Sequence, residues 1–177
     1  MKKLGVLAGL LALSFQAHAA EPQGWDNGGW TLHLGTGEAS QRITVNRETA
    51  PLWQHRFSGS RIELVGELGL SYWWTTQDVQ AGYSSHNWQL SAIPLFRWWP
   101  GDRFYIEGGV GATAFSERRF HDKNISTTFQ FGDHIGAGYQ LDRTTRVGLR
   151  ISHFSNAGIK HPNPGMNVVQ LTLGKAF

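Results

Sequence analysis

The chain ends with His153-Phe154-Ser155-Asn156-Ala157-Gly158, followed by Asn163-Pro164-Gly165 and a terminal Phe177. A histidine and a serine two residues apart are a candidate base and nucleophile. On a β-strand, side chains at i and i+2 share a face with Cα atoms roughly 6.6 Å apart, and an imidazole reaches a hydroxyl over that distance. The chemistry on offer is a serine hydroxyl activated by an adjacent base. Taken alone, His-x-Ser also describes the polar end of a strand entering a turn, so the elements that carry the pair have to decide between the two.

Those elements begin with a leader. Met1-Lys2-Lys3, an apolar run from Leu4 to Phe15 and the small residues around Ala17-His18-Ala19 follow the charged, apolar and small-residue order of a secretory signal peptide. The run is too short to cross a bilayer as a helix. We expect residues 1–19 to be a cleaved leader and residues 20–177 to form one domain. A secreted chain commonly carries disulfides, yet this one has no cysteine. Packing or hydrogen-bonded closure must therefore hold it, and thiol chemistry is excluded. The formal charge of +3 includes the two leader lysines, so the remainder is near neutral and gives no argument for nucleic acid as a partner. The 22 glycines and 8 tryptophans beside 16 % charged residues suit many short strands with aromatic anchors better than a helical enzyme.

Apolar residues alternate with small or polar ones in segment after segment. Trp30, Leu32 and Leu34 alternate with Thr31 and His33, and a weaker stretch runs from Gln41 to Arg47. Ile62, Leu64, Leu68, Leu70 and Tyr72 oppose Glu63, Glu67, Gly69 and Ser71. The same pattern returns over 87–98, 104–114, 128–141, 146–152 and 169–177. The pattern predicts an all-β fold, an eight-stranded antiparallel transmembrane barrel of the outer membrane with polar groups inside. A soluble barrel with the faces reversed has the same alternation. Tryptophan placement favours the membrane: Trp73, Trp74 and Trp88 flank one long loop, and Trp98 and Trp99 sit beside the opposite turn, as two aromatic girdles would. Pro100–Arg103 and Asp142–Thr144 are short turns, while 75–85 and 116–125 are long loops on the outer side. The segment 49–60 is long for a turn on the short-turn side.

With the barrel in place, the C-terminal residues resemble the active-site signature of PagL-type lipid A 3-O-deacylases, outer-membrane esterases of Gram-negative bacteria. The resemblance rests on His-x-Ser-Asn-Ala-Gly, then Asn-Pro-Gly, then a strand ending in Phe, about 25 residues in all. It implies hydrolysis of the ester-linked acyl chain at position 3 of lipid A, with Ser155 as nucleophile and His153 as base. It also puts Asn156 and the backbone N–H of Gly158 at the positions of the oxyanion hole. The substrate would be lipopolysaccharide in the outer leaflet, with no cofactor and no metal; His121, His134 and His161 are not at ligand spacing. A homodimer is compatible with the sequence. The family's third member is a glutamate twelve residues after the serine, where this chain has Asn167. Its amide could orient the imidazole but would stabilise an imidazolium less well.

Parity carries the reading further. His153 and Ser155 share odd numbering with Val147, Leu149 and Ile151, so a regular strand turns them outward, toward lipid. A three-residue turn at Asp142-Arg143-Thr144 sets Asp133 opposite His153 on that same face, as a candidate acid. Glu63, Glu67, Arg97 and Glu107 would pair inside the lumen, and Arg118, Arg119, His121, Lys123, Lys160 and His161 could meet the phosphates of lipid A. Two other functions remain open: a non-enzymatic barrel for envelope stability or adhesion, and a lipid A acyltransferase, which would need an internal acyl-chain cavity.

Overall fold

A computed structural model describes residues 24–177; the expected leader, residues 1–19, lies outside them. After a short 3-10 turn at Gly24–Asn27, the chain forms β1 (Gly29–Gly37), β2 (Gln41–Glu48), β3 (Trp53–Phe57), β4 (Ser60–Trp74), β5 (His86–Trp99) and β6 (Phe104–Phe115). A small hairpin of β7 (Arg119–Phe120) and β8 (Lys123–Asn124) follows, then β9 (Phe129–Gln140), β10 (Thr145–Ser155) and β11 (Met166–Ala176). Eight of these strands close on themselves. β1 pairs with both β11 and β2, β2 pairs with β4, and the ladder continues through β5, β6, β9 and β10 back to β11, antiparallel throughout. Closure leaves no unpaired strand edge, which is the condition for crossing hydrocarbon as a sheet.

The faces sort as the alternation predicts. Leu34, Leu68, Leu90, Phe96, Ile135 and Leu149 are exposed on the outer wall, while Glu48, Glu67, Arg97, Glu107 and Arg150 are buried within. The expectation for adjacent tryptophans needs correction. Trp73 and Trp99 point into the barrel, each 1 % exposed, and their indole N–H groups donate to Gln89 (2.8 Å) and Glu63 (2.9 Å). Successive side chains on a strand take opposite faces, so each Trp-Trp pair supplies one outward ring, Trp74 or Trp98, and one lumen ring.

The long segment after β2 is likewise explained. Thr49 N–H donates to Gly66 O, and β3 then pairs with the first residues of β4, from Trp53↔Leu64 to Phe57↔Ser60. A two-residue turn with Gly59 at φ 79° closes this hairpin. It lies at the end of the barrel that carries Gly29 and Ala176. At the same end, Asp142 accepts from Thr144 N (2.8 Å) and Thr145 N (2.9 Å), bonds that hold its carboxyl down to about 2 and tie the β9–β10 turn.

The lumen is filled rather than open. Arg97 donates to Glu48, Glu63 and Glu107 at 2.8–3.3 Å, and Arg150 joins Glu107 to Glu67. Toward the long loops the polar network gives way to a cluster of Trp73, Phe115, Phe120, Ile125, Phe154, Met166 and Val168. Removing one partner from a buried ion network leaves charges uncompensated, at a cost of about 3–5 kcal/mol. Arg97→Met should accordingly lower the urea midpoint of barrel unfolding, followed by tryptophan fluorescence in detergent. An unchanged midpoint would show that the network contributes nothing net.

Candidate active site

The inward residues of β10 are Arg146, Arg150, Ser152 and Phe154, all buried, and the outward ones are Val147, Leu149, Ile151, His153 and Ser155. The register with β9 runs unbroken from Val147↔Tyr139 to Ser155↔Phe131, so no bulge inverts the last turn of the strand. His153 and Ser155 therefore lie half-buried on the outer wall, at the end of the barrel that carries the long loops. Phe154 holds them there. It is fully buried between the two, with edge-to-face contacts to Trp73 (5.7 Å between centroids) and Phe115 (5.8 Å), and such contacts pin the strand against rotation.

The imidazole is oriented from the neighbouring strand. β11 sets Asn167 opposite His153, and His153 Nδ1 is 2.7 Å from Asn167 Oδ1. The amide oxygen accepts from Nδ1–H, which leaves the Nε2 lone pair to take a proton. On the other side, β9 sets Asp133 opposite His153, the register that the turn length implies. No hydrogen bond or ion pair joins Asp133 to the imidazole among the described residues, and none joins Ser155 to it; the contact at the ring is that of Asn167. Nδ1 has a single proton to donate, and Asn167 receives it.

Gly165 presses on the ring from the third side. Its φ is 68°, and a Cβ there would lie 2.6 Å from His153 Cε1. The Asn163-Pro164-Gly165 segment thus matters through its glycine: the backbone approaches the imidazole as a side chain could not.

After Ser155 the chain reverses through a turn closed by Ile159 N–H donating to Asn156 O (3.0 Å), with φ of 52° at Ala157 and 78° at Gly158. Positive φ at both central residues is the type I′ pattern. Asn156 builds this turn rather than facing the outer wall. Its Nδ2 donates to Lys160 O (2.8 Å) and Ile125 O (3.3 Å), and its backbone N–H donates to Asn163 Oδ1 (3.1 Å). The oxyanion role expected for Asn156 thus meets an amide already engaged on the inner face, a consequence of its even number. The N–H of Gly158 is exposed and has no partner among the described residues.

A second histidine–serine pair, His134 Nδ1 and Ser152 Oγ at 2.7 Å, lies in the lumen, where Gln170 also donates to Ser152. Ser152 is wholly buried, so this pair is structural. No group of histidine, aspartate and glutamate that could hold a metal occurs among the described residues. Arg118, Arg119, Lys160 and His161 surround a cavity of about 430 Å³ between the long loops.

The sequence as a whole matches a known family. The family model described as Lipid A 3-O-deacylase (PagL) matches residues 42–176. This chain belongs to the PagL lipid A 3-O-deacylase family. It is 53 % identical to the lipid A deacylase PagL of Bordetella bronchiseptica over 100 % of this chain and 98 % of that one. Identity to the lipid A deacylase PagL of Pseudomonas aeruginosa is 34 %, over 97 % and 96 % of the two chains. A crystal structure of the outer membrane enzyme PagL superposes with a TM-score of 0.65 at 28 % identity, covering 83 % of this chain and 99 % of that one. The barrel is accordingly an integral outer-membrane protein.

Two residues at the site escaped the sequence reading. Gly165 was visible only as part of a motif, and Glu38, in the β1–β2 turn, lies 3.5 Å from Asn167 Nδ2. The Gly165 contact is directly testable. Gly165→Ala should displace the imidazole and lower deacylation at least tenfold, with the heat-modifiable migration of the folded barrel unchanged. Asn167→Ala should also lower turnover, whereas Asp133→Asn should leave it within about twofold; a loss confined to Asp133→Asn would return the orienting role to the carboxylate.

Proposed function

We propose that this lipid A 3-O-deacylase cleaves its ester by a serine/histidine mechanism on the outer wall of the barrel. Ser155 Oγ attacks the acyl carbonyl carbon while His153 Nε2 takes the hydroxyl proton. The same proton then passes to the sugar oxygen as its bond to the acyl carbon breaks, and water releases the acyl group from Ser155 by the reverse sequence. The N–H of Gly158, free at the tip of the turn, is the donor available to the tetrahedral oxyanion. Asn156 contributes by holding that turn in shape.

The observation that carries this reading is the outward, oriented imidazole beside Ser155, on a wall otherwise built of Leu149, Ile151 and Val169. A substrate anchored in the outer leaflet by acyl chains reaches such a site by lateral diffusion, with its scissile ester near the end of β10. The basic loop cavity at Arg118, Arg119 and Lys160 fits the charge of the lipid A phosphates. An acyltransferase barrel would need a lumen open to an acyl chain, and this lumen is occupied by the ion network and the aromatic cluster.

Mass spectrometry of lipid A from cells expressing the chain should show loss of one hydroxyacyl group. Ser155→Ala and His153→Asn should each abolish that loss while the folded barrel still inserts. Turnover unaltered in either variant would overturn the mechanism, and a mass gain of an acyl chain would replace hydrolysis with transfer.

A further inference from the structure

The amide at Asn167 raises a question of orientation. An Asn side chain offers an oxygen at one end and an NH2 group at the other, and either end could face His153. If the NH2 faced Nδ1, the imidazole would have to carry its proton on Nε2, and the base would be lost. Something must select the productive orientation. Glu38 stands at the far end of the amide, with Oε1 3.5 Å from Asn167 Nδ2 and Oε2 2.6 Å from Lys123 Nζ. A carboxylate accepts and does not donate, so it takes the NH2 end and turns the oxygen toward His153.

We propose that Glu38 is a positioning residue for the reaction: through Asn167 it sets the tautomer of His153, and Lys123 holds it in place. This rests on the serine/histidine reading above. The fold brings the three groups together from separate elements. β1 pairs with β11 up to Gly37↔Val168, so the β1–β2 turn emerges beside Asn167. Gly37 allows the approach, since a Cβ there would lie 2.7 Å from Asn167 O. Lys123, on β8, also donates to Gly165 O at 3.3 Å, so one ammonium ties both the carboxylate and the glycine that packs on the ring. Glu38 is kept ionised by the hydrogen bond and charge of Lys123, which lower its pKa. An amide thus contacts the histidine, and a carboxylate contacts the amide.

Asp133 from β9 and Asn167 from β11 stand opposite His153, and Glu38, His121, Asp122 and Lys123 line one small pocket with Asn167. Glu38→Ala should lower kcat about three- to tenfold with KM nearly unchanged, the effect of one lost orienting hydrogen bond. Glu38→Gln, whose amide oxygen can still accept from Asn167, should recover most of that kcat.

A further variant separates positioning from packing. Asn167→Glu restores a carboxylate on Nδ1 directly, and in that background Glu38→Ala should cause no loss, since it removes a like charge. The assay is deacylation of purified lipopolysaccharide by the full-length barrel in detergent. Equal kcat in Glu38→Ala would overturn the proposal, as would the same loss in both backgrounds. Ser155→Ala run in parallel distinguishes this from failure of the underlying reading: if that variant keeps turnover, the serine mechanism itself falls.

Discussion

Every feature of this molecule follows from one constraint, the closed antiparallel ladder. In hydrocarbon an unpaired N–H or C=O costs several kcal/mol, so the sheet closes by pairing β2 with β4 and β1 with β11. Once it is closed, the twofold period of a strand leaves each side chain a choice of two surroundings, lipid or lumen. Most apolar residues of the strands take the wall, and the lumen takes the charged network and the aromatic cluster. The narrow interior then has to pair what it encloses, and the arginine–glutamate network joins Arg97, Arg146 and Arg150 to Glu48, Glu63, Glu67 and Glu107.

The same constraint gives the site its character. A polar residue on the wall is an exception to the sorting rule, and His153 and Ser155 are two such exceptions on one strand. They sit at the loop end of β10. They are held because Phe154, between them, is locked into the aromatic cluster that closes the lumen beneath the loops. The inner face of these three residues supplies rigidity, and the outer face presents the imidazole and the hydroxyl on the wall of the barrel.

The neighbouring strands divide the remaining work. β11 carries the amide that orients the imidazole, the segment before it carries the glycine that packs on the ring, and the reversal after Ser155 presents a free N–H. These groups come from positions scattered over the C-terminal third of the chain and from the β1–β2 turn, brought together because β1 is the strand that closes the barrel onto β11. Closure, which the membrane demands for hydrogen bonding, also delivers Glu38 to Asn167.

Much of this was legible in the sequence. The alternation of Leu64, Leu68 and Leu70 against Glu63 and Glu67, the parity of His153 and Ser155, and the pairing of His153 with Asp133 all follow from a period of two and a three-residue turn, which are local properties of a chain. The family was legible from the C-terminal motif for the same reason: its residues are neighbours in sequence. Local period alone could not tell which ring of Trp73-Trp74 or Trp98-Trp99 serves the membrane until the parity of each strand was tied to the lumen, nor that 49–60 holds a hairpin. The hydrogen bond between Asn167 and the imidazole, and those that tie the Asn156 amide to Lys160 and Ile125, depend on side-chain placement that no local period gives. Glu38 stands 129 residues from Asn167, and no spacing rule reaches that far. Sequence determined which residues could share a face; only the closed tertiary structure decided which of them touch, because contact between strands at opposite ends of the chain is set by closure and not by local period.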